Sequence, residues 1–260
     1  MARIEGVATS IDLNCDLGES PEAPERDEAL CALVSSINVA CGGHAGDEAT
    51  MAHAVRCAKR RGVALGAHPS YPDRANFGRV EIAMTPAAIA DEVERQVRAL
   101  AAIARREGVP LVHVKPHGAL YHAAMRHEAI ALAIAEGAAR IDPTLVLVGL
   151  AGAPALDACR RRGVRVLEEA FADRRYSADG SLVPRSRPGA VIDDPATAAQ
   201  QALLITLRAE ASTVEGGTVT CKAETLCLHA DSPRATETAL HVREALRSAG
   251  VRVLAAGYKT

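Results

Sequence analysis

Four histidines in this chain each follow a separate run of strand-forming residues: His44 in NVACGGHAGD, His68 in GAHPSYPDRANFGR, His117 in VKPHGALYH and His229 in LHADSP. A lone histidine beside a strand is more often a hydrogen-bonded structural residue than a catalyst. Four at equivalent positions, with acids and bases beside them, point to one shared mouth. The first run ends DLNCDLGES, where Asp12, Asn14 and Asp16 alternate and so share one face of an extended strand, with Glu19 following. Asn38 and Asp47 flank the Gly-Gly turn at His44, and Arg74, Asn76 and Arg79 follow His68. Lys115 precedes His117, EEAFADRRYSADG carries Glu168, Glu169, Asp173, Arg174, Arg175 and Tyr176, and Asp231 follows His229.

These residue types suit three chemistries. A divalent metal held by His and Asp could activate water at an open position, although the chain has no HExxH and no CxxC pair. Metal-free acid–base chemistry could use an Asp or His poised near neutral pH, with Lys115 holding an oxyanion. Arg79, Lys115, Arg174 and Arg175 could grip a carboxylate or phosphate, the alternative for Arg174 and Arg175 being a solvated loop. No GxxxxGK[ST] and no GxGxxG after the first strand occurs, which argues against a P-loop or Rossmann nucleotide site. The other histidines, 53, 113, 122, 127 and 241, fall in strand, helix or connecting patterns and are expected to be structural or exposed. Cys15 and Cys41 read as small buried hydrophobes.

The elements that must position these residues alternate along the chain. Strand-like runs are SIDLN (10–14), SSINVAC (35–41), VALGA (63–67), LVHVK (111–115), LVLVG (145–149), VRVLEEA (164–170), TLCLH (225–229) and VRVLA (251–255). Several are continuously apolar, as expected of strands covered on both faces. The clearest helix spans 86–107, with Pro86 in its first turn, an apolar stripe of Ile89, Val93, Val97, Leu100 and Ala104, and Gly108 as its stop. Further helices are predicted near 48–61, 128–140, 152–162, 195–211 and 234–249. Gly62, Gly163 and Gly250 repeat the stop signal ahead of strands. This alternation implies parallel strands joined by right-handed crossovers, in a closed barrel or an open doubly wound sheet. Both place ligands at the carboxyl ends of strands.

The 260 residues suit a single α/β barrel. Nearly half are apolar but only 2% are aromatic, so the core must be built from Ala, Val, Leu and Ile. A formal net charge of −2, without a basic block, argues against a nucleic-acid partner. The N-terminal MARIEGVATSIDLNCD lacks the apolar core of a signal peptide, and no run approaches the ~18 apolar residues of a membrane span. Seven scattered cysteines fit a reduced, cytoplasmic chain.

In this order and over nearly the whole chain, IDLNCDLGES, NVACGGHAGD, GAHPSYPDRANFGR, VKPHGALYH, EAFADRRYSADGSLVPRSRPGAVI and LCLHADSP strongly resemble the LamB/YcsF family, the A subunits of bacterial 5-oxoprolinase. The resemblance implies an irregular seven-stranded (β/α) TIM-like barrel, similar to the glycoside hydrolase/deacetylase superfamily, as one domain over 1–260. The eighth strand-like run is then surplus or peripheral. It also implies a cyclic-amide hydrolase that opens 5-oxo-L-proline to L-glutamate with ATP and Mg²⁺ and with partner subunits B and C. Phosphorylation of the amide oxygen would improve the leaving group, water would attack, and the ring nitrogen would depart. The catalytic set on this reading is Asp12, Asp16, His44, His68, Lys115 and His117, with Asp12 or Asp16 as base and Lys115 and Arg174 neutralising phosphate or carboxylate. Asn14, Glu19, Arg79, Glu169, Arg174, His229 and Asp231 would bind substrate or phosphate. Deacetylases of the related superfamily hold a metal through one Asp and two His, for which Asp16, His44 and His117 are the candidates, though their spacing departs from the deacetylase motif. The alternatives are a stand-alone metal-dependent hydrolase or deacetylase of a modified sugar, and a non-catalytic protein that binds a small acid for its partners. Homo-oligomers are common among enzymes of this size.

Overall fold

The computed structural model describes residues 10–256; the expectation that MARIEGVATSIDLNCD lacks the apolar core of a signal peptide lies largely outside them. In chain order the elements are β1 (Ser10–Leu17), α1 (Pro24–Cys31), β2 (Ser36–Ala40), α2 (Glu48–Arg61), β3 (Ala64–His68), α3 (Pro86–Glu107), β4 (Leu111–Val114), α4 (Gly118–Arg126), α5 (Glu128–Ala139), β5 (Val146–Leu150), α6 (Pro154–Arg161), β6 (Val166–Phe171), α7 (Pro195–Arg208), β7 (Glu210–Ser212), β8 (Thr218–Thr220), β9 (Thr225–Leu228), α8 (Ala235–Ser248) and β10 (Arg252–Val253). Strands β1 to β6 and β9 are parallel neighbours, and β9 pairs with both β6 and β1, which closes a seven-stranded barrel. The open-sheet alternative is thereby excluded. No helix among the described residues is long and apolar enough to cross a membrane.

The eighth strand-like run, VRVLA, is peripheral. It reduces to β10, which among the described residues pairs with Ser10 and Ile11 at the start of β1. Two local features differ from the sequence pattern. The helix expected over 195–211 stops at Arg208, because Ala209 adopts a left-handed φ of 54°, and Glu210–Ser212 turns back as a short antiparallel ribbon with β8. Helices α1 and α4 are short and carry no long apolar period, so periodicity does not reveal them. The remaining signals hold: Pro86 opens α3, the stripe Ile89, Val93, Val97, Leu100 and Ala104 is buried, and Gly108 ends it at φ 71°, while Thr85 caps its start.

The strands sort residues by alternation. On β1, Leu13, Cys15 and Leu17 join the main apolar cluster, while Asp12, Asn14 and Asp16 make the polar contacts across the barrel. TIM barrels are ordinarily filled with branched aliphatic side chains. This one carries a hydrogen-bonded polar interior. Asp12 accepts from the hydroxyls of Ser35, Ser36 and Thr225 at 2.6–2.7 Å. Asn14 donates to Thr225 and Glu169, and Asn38 donates to Asn14 and Asp16. His113 Nε2 donates to Asn38 Oδ1 at 2.7 Å. Only on β5 and β6 does a small apolar group, Val146, Val148 and Leu167 with Ala256, replace these polar layers. Buried polar groups are tolerable where each finds a partner, and cross-strand register here supplies them.

Gly66 on β3 makes room for this packing. A Cβ built there would lie 1.9 Å from His113 Nε2. Gly66→Ala is therefore expected to destabilise the chain by roughly 1–3 kcal/mol through overpacking, measured by urea unfolding, and His113→Ala in the same chain should recover part of that loss.

Candidate active site

At the carboxyl ends of the strands lies a cavity of about 260 Å³. Its lining includes Asp16, Glu19, His68, Phe77, Arg79, Lys115, His117, Tyr121, His122, Phe171, Arg174, Arg185, His229 and Asp231. Nine of the residues singled out from sequence thus share one cavity: Asp16, Glu19, His68, Arg79, Lys115, His117, Arg174, His229 and Asp231. Asn14 and Glu169 lie beneath it, joined to Lys115, and His44 stands behind His117 with the two rings stacked at 3.6 Å. Asp12 does not reach the cavity. Burial pushes its carboxyl above the usual value against the pull of three hydroxyl donors. All its near donors belong to the barrel wall, which corrects its reading as a catalytic base.

Lys115 sits at the floor. Its Nζ lies 2.9 Å from Glu169 Oε1 and 3.1 Å from Asp16 Oδ1, and reaches Asn14 Oδ1 at 3.3 Å and Cys227 Sγ at 3.0 Å. Burial alone would lower its pKa, but Asp16, Cys227 and Glu169 outweigh it and hold the ammonium well above the usual lysine value. Asp16 answers the same way: burial raises it, yet His68 and Lys115 carry it well below the usual carboxylate range. Both stay charged.

The histidines are oriented by backbone. His68 Nδ1 donates to the Lys115 carbonyl at 2.7 Å, and His117 Nε2 donates to the Phe77 carbonyl at 3.0 Å. Phe77 is in the left-handed region at φ 55°, where a bulky residue is rare, and this turn aims its carbonyl at His117. His68 Nε2 then faces His117 Nδ1 at 3.0 Å and Asp16 Oδ2 at 3.4 Å, while Glu19 Oε1 meets His44 Nε2 at 3.2 Å and His117 Nδ1 at 3.5 Å. Burial, with the neighbouring imidazoles, pushes His117 well below its usual value and lowers His44. Glu19, His44, His68 and His117 each bring one donor atom within 4.8 Å of the others. The set expected from sequence, Asp16, His44 and His117, keeps its two histidines but exchanges Asp16 for Glu19 and His68.

Across the cavity His229 forms a dyad with Asp173. Its Nδ1 lies 2.9 Å from both Asp173 oxygens, and its backbone N–H also donates to Asp173. Phe171 stacks on the imidazole at 5.4 Å. Burial opposes ionisation of Asp173, but His229 and these hydrogen bonds hold it below the usual value. At the mouth, Arg79 and Arg185 both donate to Asp231 Oδ2 at 2.7 Å, two cations on one carboxylate. Arg174 lines the cavity, and its Nε and Nη2 donate to the Ala190 and Val183 carbonyls, which ties it to the loop.

Several cavity residues carry little signal in the sequence. Arg185 lies within a quoted motif but beyond the more conspicuous arginine pair. His122, expected to be structural or exposed, lines the cavity, and burial lowers its pKa to about 4. It sits on α4, whose pattern is too short to place it. Asp47 caps α2 through Thr50, Arg74 holds the Gly46 carbonyl, and Asn76 bonds Asp73, so these three strand-end residues shape loops. The half-buried Glu28 and His53 form a second donor cluster with the buried Cys57, but Arg60 donates to both Glu28 and Cys57 within it.

The LamB/YcsF family model matches residues 11–259. A 5-oxoprolinase A subunit from Chloroflexus aggregans is 50% identical over 246 residues, covering 94% of this chain and 98% of its own. The solved structure of a lactam utilization protein from Thermus thermophilus superposes with a TM-score of 0.88 at 46% identity, over 95% of this chain and 99% of that one. A family 4 carbohydrate esterase from Streptomyces lividans gives a TM-score of 0.50 at 11% identity, covering 98% and 96%, which is a likeness of fold alone.

Two outcomes follow from the buried charges. Lys115→Met leaves Asp16 and Glu169 without their shared cation and should remove about 3–5 kcal/mol, read by urea unfolding at neutral pH. Asp173, held below the usual 3.8, contributes stability that is present above that value and lost as pH falls through its lower folded value. Unfolding free energy should therefore fall as pH drops below about 4 in the wild type, and less steeply in Asp173→Asn.

Proposed function

The chain belongs to the LamB/YcsF family, and we propose that it is the A subunit of a cytoplasmic 5-oxoprolinase, opening 5-oxo-L-proline to L-glutamate together with partner subunits B and C and with ATP and Mg²⁺. The observation that carries the reading is a small cavity with cations at its mouth and a charged acid–base floor, in a chain half identical to a 5-oxoprolinase A subunit over nearly its full length. At about 260 Å³ it falls below the ~300 Å³ at which drug-sized pockets begin, which suits a compact cyclic acid. The esterase likeness is of fold alone and lends a sugar-deacetylase reading no support.

The residues divide the work by position. Arg79 and Arg185, with one carboxylate between them, leave a net positive charge at the mouth for the substrate carboxylate or a phosphate. Asp173 accepts a hydrogen bond from His229 Nδ1–H, which leaves the lone pair on Nε2, the arrangement by which a carboxylate fixes a catalytic imidazole's tautomer. His229 can thus take a proton from the attacking water and return it to the departing ring nitrogen. Asp16 is too weak a base for that task, being held far below neutral pH, and with Lys115 it supplies fixed charge near the reacting amide. ATP would phosphorylate the amide oxygen; attack of water and departure of the ring nitrogen then leave an acyl phosphate, which a second water hydrolyses to the carboxylate and inorganic phosphate, and the nucleotide requirement is assigned to the assembled complex rather than to a pocket of this chain.

The test is glutamate release from 5-oxoproline by the purified chain, with and without folded B and C partners, each with and without ATP and Mg²⁺. Turnover should require partners and ATP together. His229→Ala should lower it by about 10²–10⁴-fold and Asp173→Asn by less, with the chain still folded. Absence of turnover in every combination would reject the lactam-hydrolase reading.

A further inference from the structure

The Asn14 amide has two N–H donors and two lone pairs, and all four are taken. Its Oδ1 accepts from Asn38 Nδ2 at 2.8 Å and from Lys115 Nζ at 3.3 Å. Its Nδ2 donates to Thr225 Oγ1 at 2.7 Å and to Glu169 Oε1 at 3.0 Å. The side chain therefore ties the ammonium of the cavity floor to one of its carboxylates. It does so only one way round. Reversed, it would turn N–H groups toward the Lys115 ammonium and a carbonyl oxygen toward Glu169, and both contacts repel.

Thr225 would by itself accept either orientation, because a hydroxyl both donates and accepts. Asp12 removes the choice. Its Oδ2 takes the Thr225 proton at 2.6 Å, so Thr225 offers Asn14 a lone pair. Strand register sets the arrangement: Thr225 on β9 is the partner of Asp12 on β1 and of Glu169 on β6. Ser35 and Ser36 donate to Asp12 as well, each at 2.7 Å, which holds the carboxyl as an acceptor. Donation thus runs in one direction, from Asn14 through Thr225 to Asp12. Asp12, Asn14, Lys115, Glu169 and Thr225 are each at most 2% exposed, so bulk solvent offers no substitute partner.

We infer that Asp12 is a positioning residue for the floor of the cavity: acting through Thr225, it fixes the Asn14 amide that ties Lys115 to Glu169. Asp12 lies outside the cavity lining and works at two removes from any ligand. Its effect on turnover rests on the lactam-hydrolase reading, in which Lys115 supplies fixed charge near the reacting amide; the fixed amide does not depend on that reading. A displaced ammonium costs rate rather than affinity, because the anionic group of the ligand is assigned to Arg79 and Arg185 at the mouth.

The chain has three asparagines, 14, 38 and 76, so selective ¹⁵N labelling of the full chain gives three side-chain amide signals. Thr225→Val keeps the shape and loses the hydroxyl; Asp12→Asn keeps the shape and loses the charge. Each should move the Asn14 signal and speed the exchange of its protons, with folding checked by circular dichroism, while Thr225→Ser should leave the signal as in the wild type. Should Asp12→Asn fail to fold, the Thr225 pair carries the test. In the assembled complex with ATP, Thr225→Val and Asp12→Asn should each lower kcat by about 10–100-fold with KM little changed. The double variant should lose no more than the worse single one, because the two residues act in one chain. Ser36→Ala removes an Asp12 donor outside that chain and should cost stability while kcat stays near the wild-type value. An unmoved Asn14 signal in folded Thr225→Val or Asp12→Asn, losses of kcat that add, or an equal loss in Thr225→Ser would overturn the inference. If the wild-type complex does not turn over 5-oxoproline, the lactam reading falls and the Asn14 signals alone decide the positioning role.

Discussion

Lys115 Nζ stands within 3.1 Å of two carboxylates, Asp16 and Glu169, and all three side chains are out of solvent. Taking ions from water costs several kcal/mol each, so such a triad depends on neighbours that engage its remaining lone pairs and protons. Much of the barrel interior answers that requirement. Asn14 and Asn38 bind the carboxylates from the side, Thr225 links Asn14 to Asp12, and His113 completes Asn38. The polar chain runs unbroken from Asp12 deep in the barrel to Lys115 at the floor of the cavity.

The fold makes this possible by alternation. Each parallel strand turns one face to the helices, where Leu, Val, Ala and Cys form the main core, and one face to the axis. The aliphatic filling usual in such barrels is displaced outward, and the axis is given to charge. Small residues then matter where polar rings need space: Gly66 admits His113, and Gly78 lies against His44 and His117. The scarcity of aromatic residues fits an architecture whose core is built from aliphatic side chains, with the few aromatics spent at the site, where Phe77 and Phe171 orient imidazoles.

The cavity consequently has two sides. On one, His44, His68, His117 and Glu19 gather donor atoms around backbone-fixed tautomers. On the other, Asp173 fixes His229, and Arg79, Arg185 and Asp231 set a positive mouth. On the proposed function, this division serves the ring opening of a small cyclic amide.

What is local or periodic in this protein could be read from the chain alone. Strand runs, the stripe and caps of α3, and the glycine stops follow from side-chain size and backbone freedom acting over a few residues, and the placing of histidines after strands is legible for the same reason. The quoted motifs also sufficed to name the family. Which strand-end residues meet was decided in three dimensions. Asp12 and Asp16 sit four residues apart on one face, yet one is sealed by three hydroxyls and the other borders the cavity, because depth along a barrel axis depends on neighbouring strands. Arg174 and Arg185 are both arginines between the same two elements, β6 and α7; only the fold turns the first onto carbonyls and the second toward Asp231. The tautomers of His68 and His117 depend on carbonyls at Lys115 and Phe77, 47 and 40 residues away. A hydrogen bond is a statement about distance in space, and no spacing along the chain encodes it.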